Sequence, residues 1–221
     1  MAIALLPVIA ILLGLGIWQV ERRGEKLALI DRVARGLAAA PVLAPGPAQW
    51  AAINRDAAYR RLRITGRYDV CRTRLAQAVT DLGPGKWVMT PLVTDRGFTV
   101  FVNRGFLPDG QRLPDCKTVP DTAVTVSGLL RLSEPKGGFL RANDPAADRW
   151  YSRDVAAMGQ GLAPLAPYFI DADRSGDGWP RGGMTVIRFP NNHLVYALTW
   201  FGLALLTGWF AWRAWRGRGE A

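Results

Sequence analysis

The two ends of the chain constrain it most. From Ala2 to Val20 the sequence reads AIALLPVIAILLGLGIWQV, nineteen residues without a charge and with Gln19 as the one polar side chain. From Leu194 to Trp212 it reads LVYALTWFGLALLTGWFAW, again nineteen residues and again uncharged. Each run is about the length an α-helix needs to cross the hydrocarbon of a bilayer, and Trp200, Trp209 and Trp212 suit its interface. A cleaved signal peptide would carry a basic start, a shorter apolar core and small residues at the cut. The first run has no Lys or Arg before Glu21, and Trp18 and Gln19 stand where small residues would be needed. A retained helix is therefore expected. The expected organisation is a transmembrane helix over 1–20, an extramembrane domain over 21–192, a second transmembrane helix over 193–213 and a basic tail over 214–221.

Two spans place both termini on one side of the membrane. The flanking cations do not say which side, because Arg22, Arg23 and Lys26 follow the first span and Arg213, Arg216 and Arg218 follow the second. Long loops cross largely regardless of charge, and a short basic tail is the kind of flank that stays in the cytoplasm, so the middle domain is expected outside. Net charge is +10, and residues 21–192 carry most of it with 25 basic against 17 acidic side chains. A solvated surface beside anionic lipid accounts for that; so does a site for propionates or for an acidic partner face. No helix-turn-helix, zinc-finger or aromatic RNP pattern is present, so nucleic acid is not an expected partner. Cys71 and Cys116 both lie in the middle domain, too far apart for a CxxC motif, and their pairing stays open.

Within that domain the period of hydrophobicity changes twice. Leu27, Ile30, Val33, Ala34 and Leu37 recur at three and four residues, as on an amphipathic helix that ends at APVLAPGP. A second short helix is expected over 48–56. In YRRLRITGRY, Leu62 and Ile64 then alternate with Arg61, Arg63 and Thr65, the rhythm of a half-buried strand. Strands are also expected over 86–94, 98–105, 122–132, 167–172 and 184–189, with TDRGF as a hairpin connection. One further helix is expected in SRDVAAMGQGL, with Ser152 as its N-cap and Asp154 in its first turn. The fold class that follows is a membrane α+β protein: two terminal transmembrane helices flank a mainly antiparallel, small barrel-like β domain with a few short helices.

Catalytic chemistry is scarce. There is one histidine, His193, and four serines, none in a GxSxG setting. There is no P-loop, no GxGxxG after a strand and no HExxH, so an enzyme is not expected. VNRGFLP, residues 102–108, reads as a strand ending in a turn, or else presents Arg104 to a carboxylate. His193 begins the second apolar run, with Tyr196, Ala197, Trp200 and Ala204 on its stripe. Small residues there make a helix-packing seam; the alternative is a flat apolar slot. Trp18 and Gln19 end the first run at the same membrane depth. A slot at that depth suits a haem, whose ring is apolar, whose iron takes a neutral imidazole and whose propionates take Arg and water.

At this point the motifs are similar, in their order, to those of the Surf1 (Surfeit-1) family of cytochrome c oxidase assembly proteins. LGIWQVERRGEK (15–26), GKWVMTPL, VNRGFLP, VSGLLRLSEP, WYSRDVAAM and NNHLVYALTWFGLA (191–204) carry the resemblance. It implies a bacterial inner-membrane protein with cytoplasmic termini and a periplasmic domain. It also implies a non-enzymatic role in delivering haem a to, or stabilising it in, subunit I of the oxidase, with haem a synthase as a further partner. The family's NNHL histidine, proposed there as a haem a ligand, matches His193. On that reading Tyr196 and Trp200 flank the ring, Trp18 and Gln19 close the slot, and Arg22, Arg23 or Arg188 meet the propionates. One histidine supplies one axial ligand, so a second could come from Met, Tyr, Cys or another copy's His193, which leaves a homo-oligomer open. The rival is a haem-independent scaffold that stabilises an oxidase intermediate.

Overall fold

Residues 5–138, 141–174, 176–185 and 189–216 are described by a computed structural model. The chain divides into two units, residues 1–34 with 187–221 and residues 35–186.

The first unit is helical. Helix α1 runs Leu6–Ala38 without a break, so the expected apolar helix and the expected amphipathic helix over 27–37 are one element. Nothing between Val20 and Leu27 stops a helix, because Glu, Arg and Lys are good helix formers and Gly24 costs only about 1 kcal/mol. The helix ends just before Pro41, at the expected breaker. Helix α3, the last in the chain, spans His193–Arg216. Among the described residues it is the one helix long and apolar enough to cross a membrane. Two such spans were expected, but the described apolar part of α1 is only Leu6–Val20, followed at once by Glu21, Arg22 and Arg23. Where α1 and α3 meet, Gly16, Gln19, Ala197 and Ala204 are buried. A Cβ on Gly16 would lie 2.4 Å from the Phe201 ring, so small residues set the approach of the two backbones. Ile11, Ile17, Leu198 and Leu205 are exposed on the outer faces.

The second unit is a closed barrel. Its strands are β1 (Val42–Leu43), β2 (Arg61–Tyr68), β3 (Arg74–Thr80), β4 (Gly83–Thr94), β5 (Thr99–Pro108), β6 (Ala123–Leu132) and β7 (Leu165–Ala172). The order β2-β6-β7-β5-β4 returns to β2 through the pairs Gly66↔Thr94, Arg67↔Val93 and Tyr68↔Leu92. Closure gives each of these five strands a neighbour on both sides, which removes their open edges. It depends on Gly66, where a Cβ would meet the Val93 carbonyl oxygen at 2.3 Å. β3 pairs with β4 alone among the named strands and β1 lies parallel to β2; neither was expected, since β1 is only two residues long and the apolar rhythm of β3, RLAQAVT, is weak. In the connection after β4, Thr94 Oγ1 donates to the Phe98 carbonyl at 2.7 Å, the expected hairpin at TDRGF.

Inside the barrel, alternate residues meet: Leu62 and Ile64 of β2, Val100 and Val102 of β5, Val126 and Leu130 of β6, and Tyr168 and Ile170 of β7. Phe101 of β5 and Phe169 of β7 point the other way, into a second cluster with Met89, Trp150, Val155 and Met158. Both faces of β5 and β7 are thus covered, which is why they read as continuous apolar runs rather than alternating ones. This pair is parallel, Phe101↔Phe169 to Asn103↔Asp171, within an otherwise antiparallel barrel. No hairpin links β5 to β7, so their direction is set by packing.

Other expectations need correction. Helix α2 is only Val155–Met158, and its N-cap is Asp154, which accepts from the Ala157 amide, not Ser152. The Ser152 hydroxyl instead donates to the Glu134 carbonyl at 2.6 Å. Residues 48–56 form two 3-10 turns, Pro47–Ala52 and Arg55–Ala57. Asn103, Arg104 and Gly105 of VNRGFLP do not end a strand in a turn. β5 continues through them to Pro108, and the register shift between Trp87 and Met89 makes a bulge with Gly105 at φ 129°. Of the strand expected over 184–189, residues 186–188 lie outside the described residues, and 184, 185 and 189 are not in a strand. Cys71 and Cys116 are joined by a disulfide across Cα atoms 5.0 Å apart.

Candidate functional site

His193 opens α3 immediately after Asn191 and Asn192, and the Asn192 carbonyl accepts from the Tyr196 amide to start the helix. The imidazole Nδ1 lies 2.7 Å from Oε1 of Gln19 on α1. Gln19 is buried, a polar side chain within an apolar helix whose partner is the chain's one histidine. Beside the ring is an open cleft of about 300 Å³ lined by Arg22, Glu25, Lys26, Leu29 and His193. Gln19, Arg22, Lys26 and Leu29 follow one another at three, four and three residues, so they share a face of α1. Arg22 is held by Glu25 at 2.6 Å, and the Lys26 ammonium lies 5.4 Å from the centre of the Phe189 ring. The cleft therefore joins an imidazole to two cations and one carboxylate.

The expected site residues separate into those that meet and those that do not. His193, Gln19 and Arg22 come together. Arg23, one residue on, is not part of the cleft lining. Trp18 and Tyr196 are about half exposed, while Trp200 is partly buried in α3. On the His193 stripe it is Ala197 and Ala204 that are buried, so the packing seam accounts for that face. Arg188 lies outside the described residues. Lys26 is the residue that sequence reasoning missed as a site member. Its seven-residue spacing from Gln19 on an unbroken helix would have found it, had α1 not been divided at Val20.

The barrel unit holds a separate polar cavity of about 170 Å³, lined by Trp87, Asn103, Arg131, Arg153, Asp171 and Met184 among others. Asp171 is buried and accepts from Asn103 Nδ2 at 2.8 Å, Thr185 Oγ1 at 2.9 Å, Arg131 Nη1 at 3.0 Å and Arg153 Nη1 at 3.2 Å. Arg153 also holds Glu134 at 2.5 Å. Burial opposes the Arg153 charge, but the Glu134 hydrogen bond and the two carboxylates outweigh it and keep the guanidinium above its ordinary value. Two arginines facing two carboxylates cancel, and the acceptor sites of Asp171 are filled, so this cluster is a brace between β5, β6 and β7. Arg104, the candidate carboxylate partner, lies 5.1 Å over the Tyr68 ring. Burial pushes the Tyr68 phenol up to about 12, with Arg104 pulling the other way.

Residues 6–205 match the SURF1 family model. The chain belongs to the SURF1 family. It is 35% identical to Surfeit locus protein 1 of Takifugu rubripes, over 94% of this chain and 94% of that protein. It is 34% identical to the Mus musculus and Homo sapiens proteins of the same name, over 93% of this chain and 73% and 74% of theirs. The SURF1 match reaches from α1 through the barrel into α3, so it includes both helices that build the His193 site. SURF1 proteins are not enzymes, and this chain is not one.

Proposed function

We propose that this SURF1 chain is a membrane-anchored assembly factor for a haem-copper cytochrome c oxidase, which takes haem a as cargo at His193 and delivers it to, or stabilises it in, subunit I. The observation that carries the reading is the placement of the His193 imidazole, held by Gln19 at the rim of two packed helices and beside Arg22 and Lys26. The donor set fits that cargo: iron takes an imidazole nitrogen, and propionates take cations at a wet edge. Tyr196, Trp200 and Trp18 supply apolar surface on the same helices, and Arg23 and Arg188 are further candidate cations. Haem a synthase is the candidate donor and subunit I the candidate acceptor.

We further propose that the protein lies in a bacterial inner membrane, with α1 as a second span, cytoplasmic termini and a periplasmic barrel. The outward apolar faces of α1 and α3 suit lipid, Arg213 and Arg216 suit a cytoplasmic flank, and a disulfide persists in an oxidising compartment such as the periplasm.

The test is to purify wild type and His193→Ala from cells that make haem a and to compare spectra and haem per chain. Near-stoichiometric haem in the wild type, with loss and a shifted Soret band in the variant, is the expected result. Equal haem in both removes His193 as ligand. Colourless protein in both leaves a scaffold that stabilises an oxidase intermediate without haem.

A further inference from the structure

Gln19 stands out on physical grounds. A primary amide inside an apolar helix is costly unless its hydrogen bonds are made, and this one is buried with its oxygen 2.7 Å from His193 Nδ1. An amide oxygen only accepts, so at this contact Nδ1 carries the hydrogen. A neutral imidazole has one N–H, and a hydrogen bond to one ring nitrogen decides which nitrogen keeps its lone pair. With Nδ1–H donated to Gln19, that nitrogen is Nε2.

We propose that Gln19 is a positioning residue that locks His193 in the Nδ1–H tautomer and fixes the ring's orientation, so that Nε2 presents its lone pair to the iron of the cargo. This rests on the haem reading above for the identity of the iron, but not for the tautomer. Metal-bound histidines commonly donate their second ring nitrogen to such a partner, which fixes tautomer and orientation. The neighbouring packing holds the acceptor still: Gly16, one turn before Gln19 on α1, lies against Phe201 of α3, and Ala197, one turn after His193, is buried. The amide is neutral, so it orients the imidazole without placing a fixed charge beside it. That suits a site that must also release what it holds.

The experiment uses the full-length protein, haem-free in detergent, with 15N-labelled histidine; the single histidine makes the assignment unambiguous. Nitrogen shifts should show Nδ1 protonated and Nε2 bare in the wild type. Gln19→Met keeps the bulk and removes the oxygen, and should give a mixture of tautomers; Gln19→Glu restores an acceptor and should restore the Nδ1–H form. Ferric haem is then titrated into each. Gln19→Met should bind it roughly 10–100-fold more weakly, the usual loss when such a supporting partner is removed, with Gln19→Glu close to wild type. An Nε2–H tautomer in the wild type, as an amide turned to donate to Nδ1 would produce, overturns the proposal. So does a tautomer that Gln19→Met leaves unchanged, whether or not haem binds. If the tautomer follows Gln19 but wild type and His193→Ala take up haem equally, the tautomer assignment is supported and the haem reading of function fails.

Discussion

At the scale of single residues, the His193 site and the barrel each hold a buried polar side chain whose partners come from other elements. Gln19 answers His193 across two helices, and Asp171 collects four donors from separate segments. Tyr68 is a case with a measurable pH consequence. Its phenol is raised from 10.0 to about 12 by burial, so the folded state holds that proton more tightly than the unfolded chain does. The contribution to stability is complete below pH 10 and is lost as pH rises from about 10 towards about 12. Tyr68→Phe removes this loss. Denaturant titrations between pH 9 and pH 12 should show a flatter decline for the variant than for the wild type, and parallel curves would contradict the assignment. His193 was legible as a candidate because it is unique and sits at an apolar boundary. That Trp18 and Tyr196 turn outward was not legible, because helical spacing names a face without saying which neighbour covers it.

Among elements, the barrel is closed by a local contact of small size. β2 meets β4 over three residue pairs, and the crossing is tight because Gly66 offers no Cβ to the Val93 carbonyl. Gly66→Val should open this seam and cost at least about 1–3 kcal/mol, the usual penalty of overpacking. Hydrogen exchange should then accelerate first at residues 66–68 and 92–94; unchanged protection there would show that the seam tolerates a side chain. The alternating pattern of β2 and the apolar runs of β5 and β7 were readable as strands. Their order was not, because β5 and β7 are far apart in sequence and pair in parallel through tertiary packing. The division of α1 into two helices failed for a related reason. A change from apolar to charged composition marks a change of environment, and the backbone continues through it when no breaker is present.

For the whole molecule, the disulfide is the strongest covalent constraint. Cys71 follows β2 and Cys116 precedes β6, with a sequence separation of 45. By loop entropy, cross-linking a loop of that size stabilises the fold by about 4 kcal/mol. Cys71→Ser/Cys116→Ser, or reduction, should lower the melting temperature of the barrel by roughly 10 °C for a chain of this size. A melting curve that does not move would mean that the two thiols are not joined in the mature protein. The same result bears on location, since a persistent disulfide belongs to an oxidising compartment.

From the sequence alone come the apolar ends, the β-rich middle, the absence of catalytic constellations and the singling out of His193. Each is written in composition or in a short-range period, and local physics reads such signals directly. Tertiary structure decided the remainder: the unbroken α1, the seam of Gly16, Gln19, Ala197 and Ala204, the five-strand closure, the pairing of Cys71 with Cys116, and the cleft that sets Lys26 beside His193. These are contacts between residues distant in the chain. Which of them form depends on which surfaces can approach without clash or unpaired polar groups, and a one-dimensional pattern does not encode that geometry.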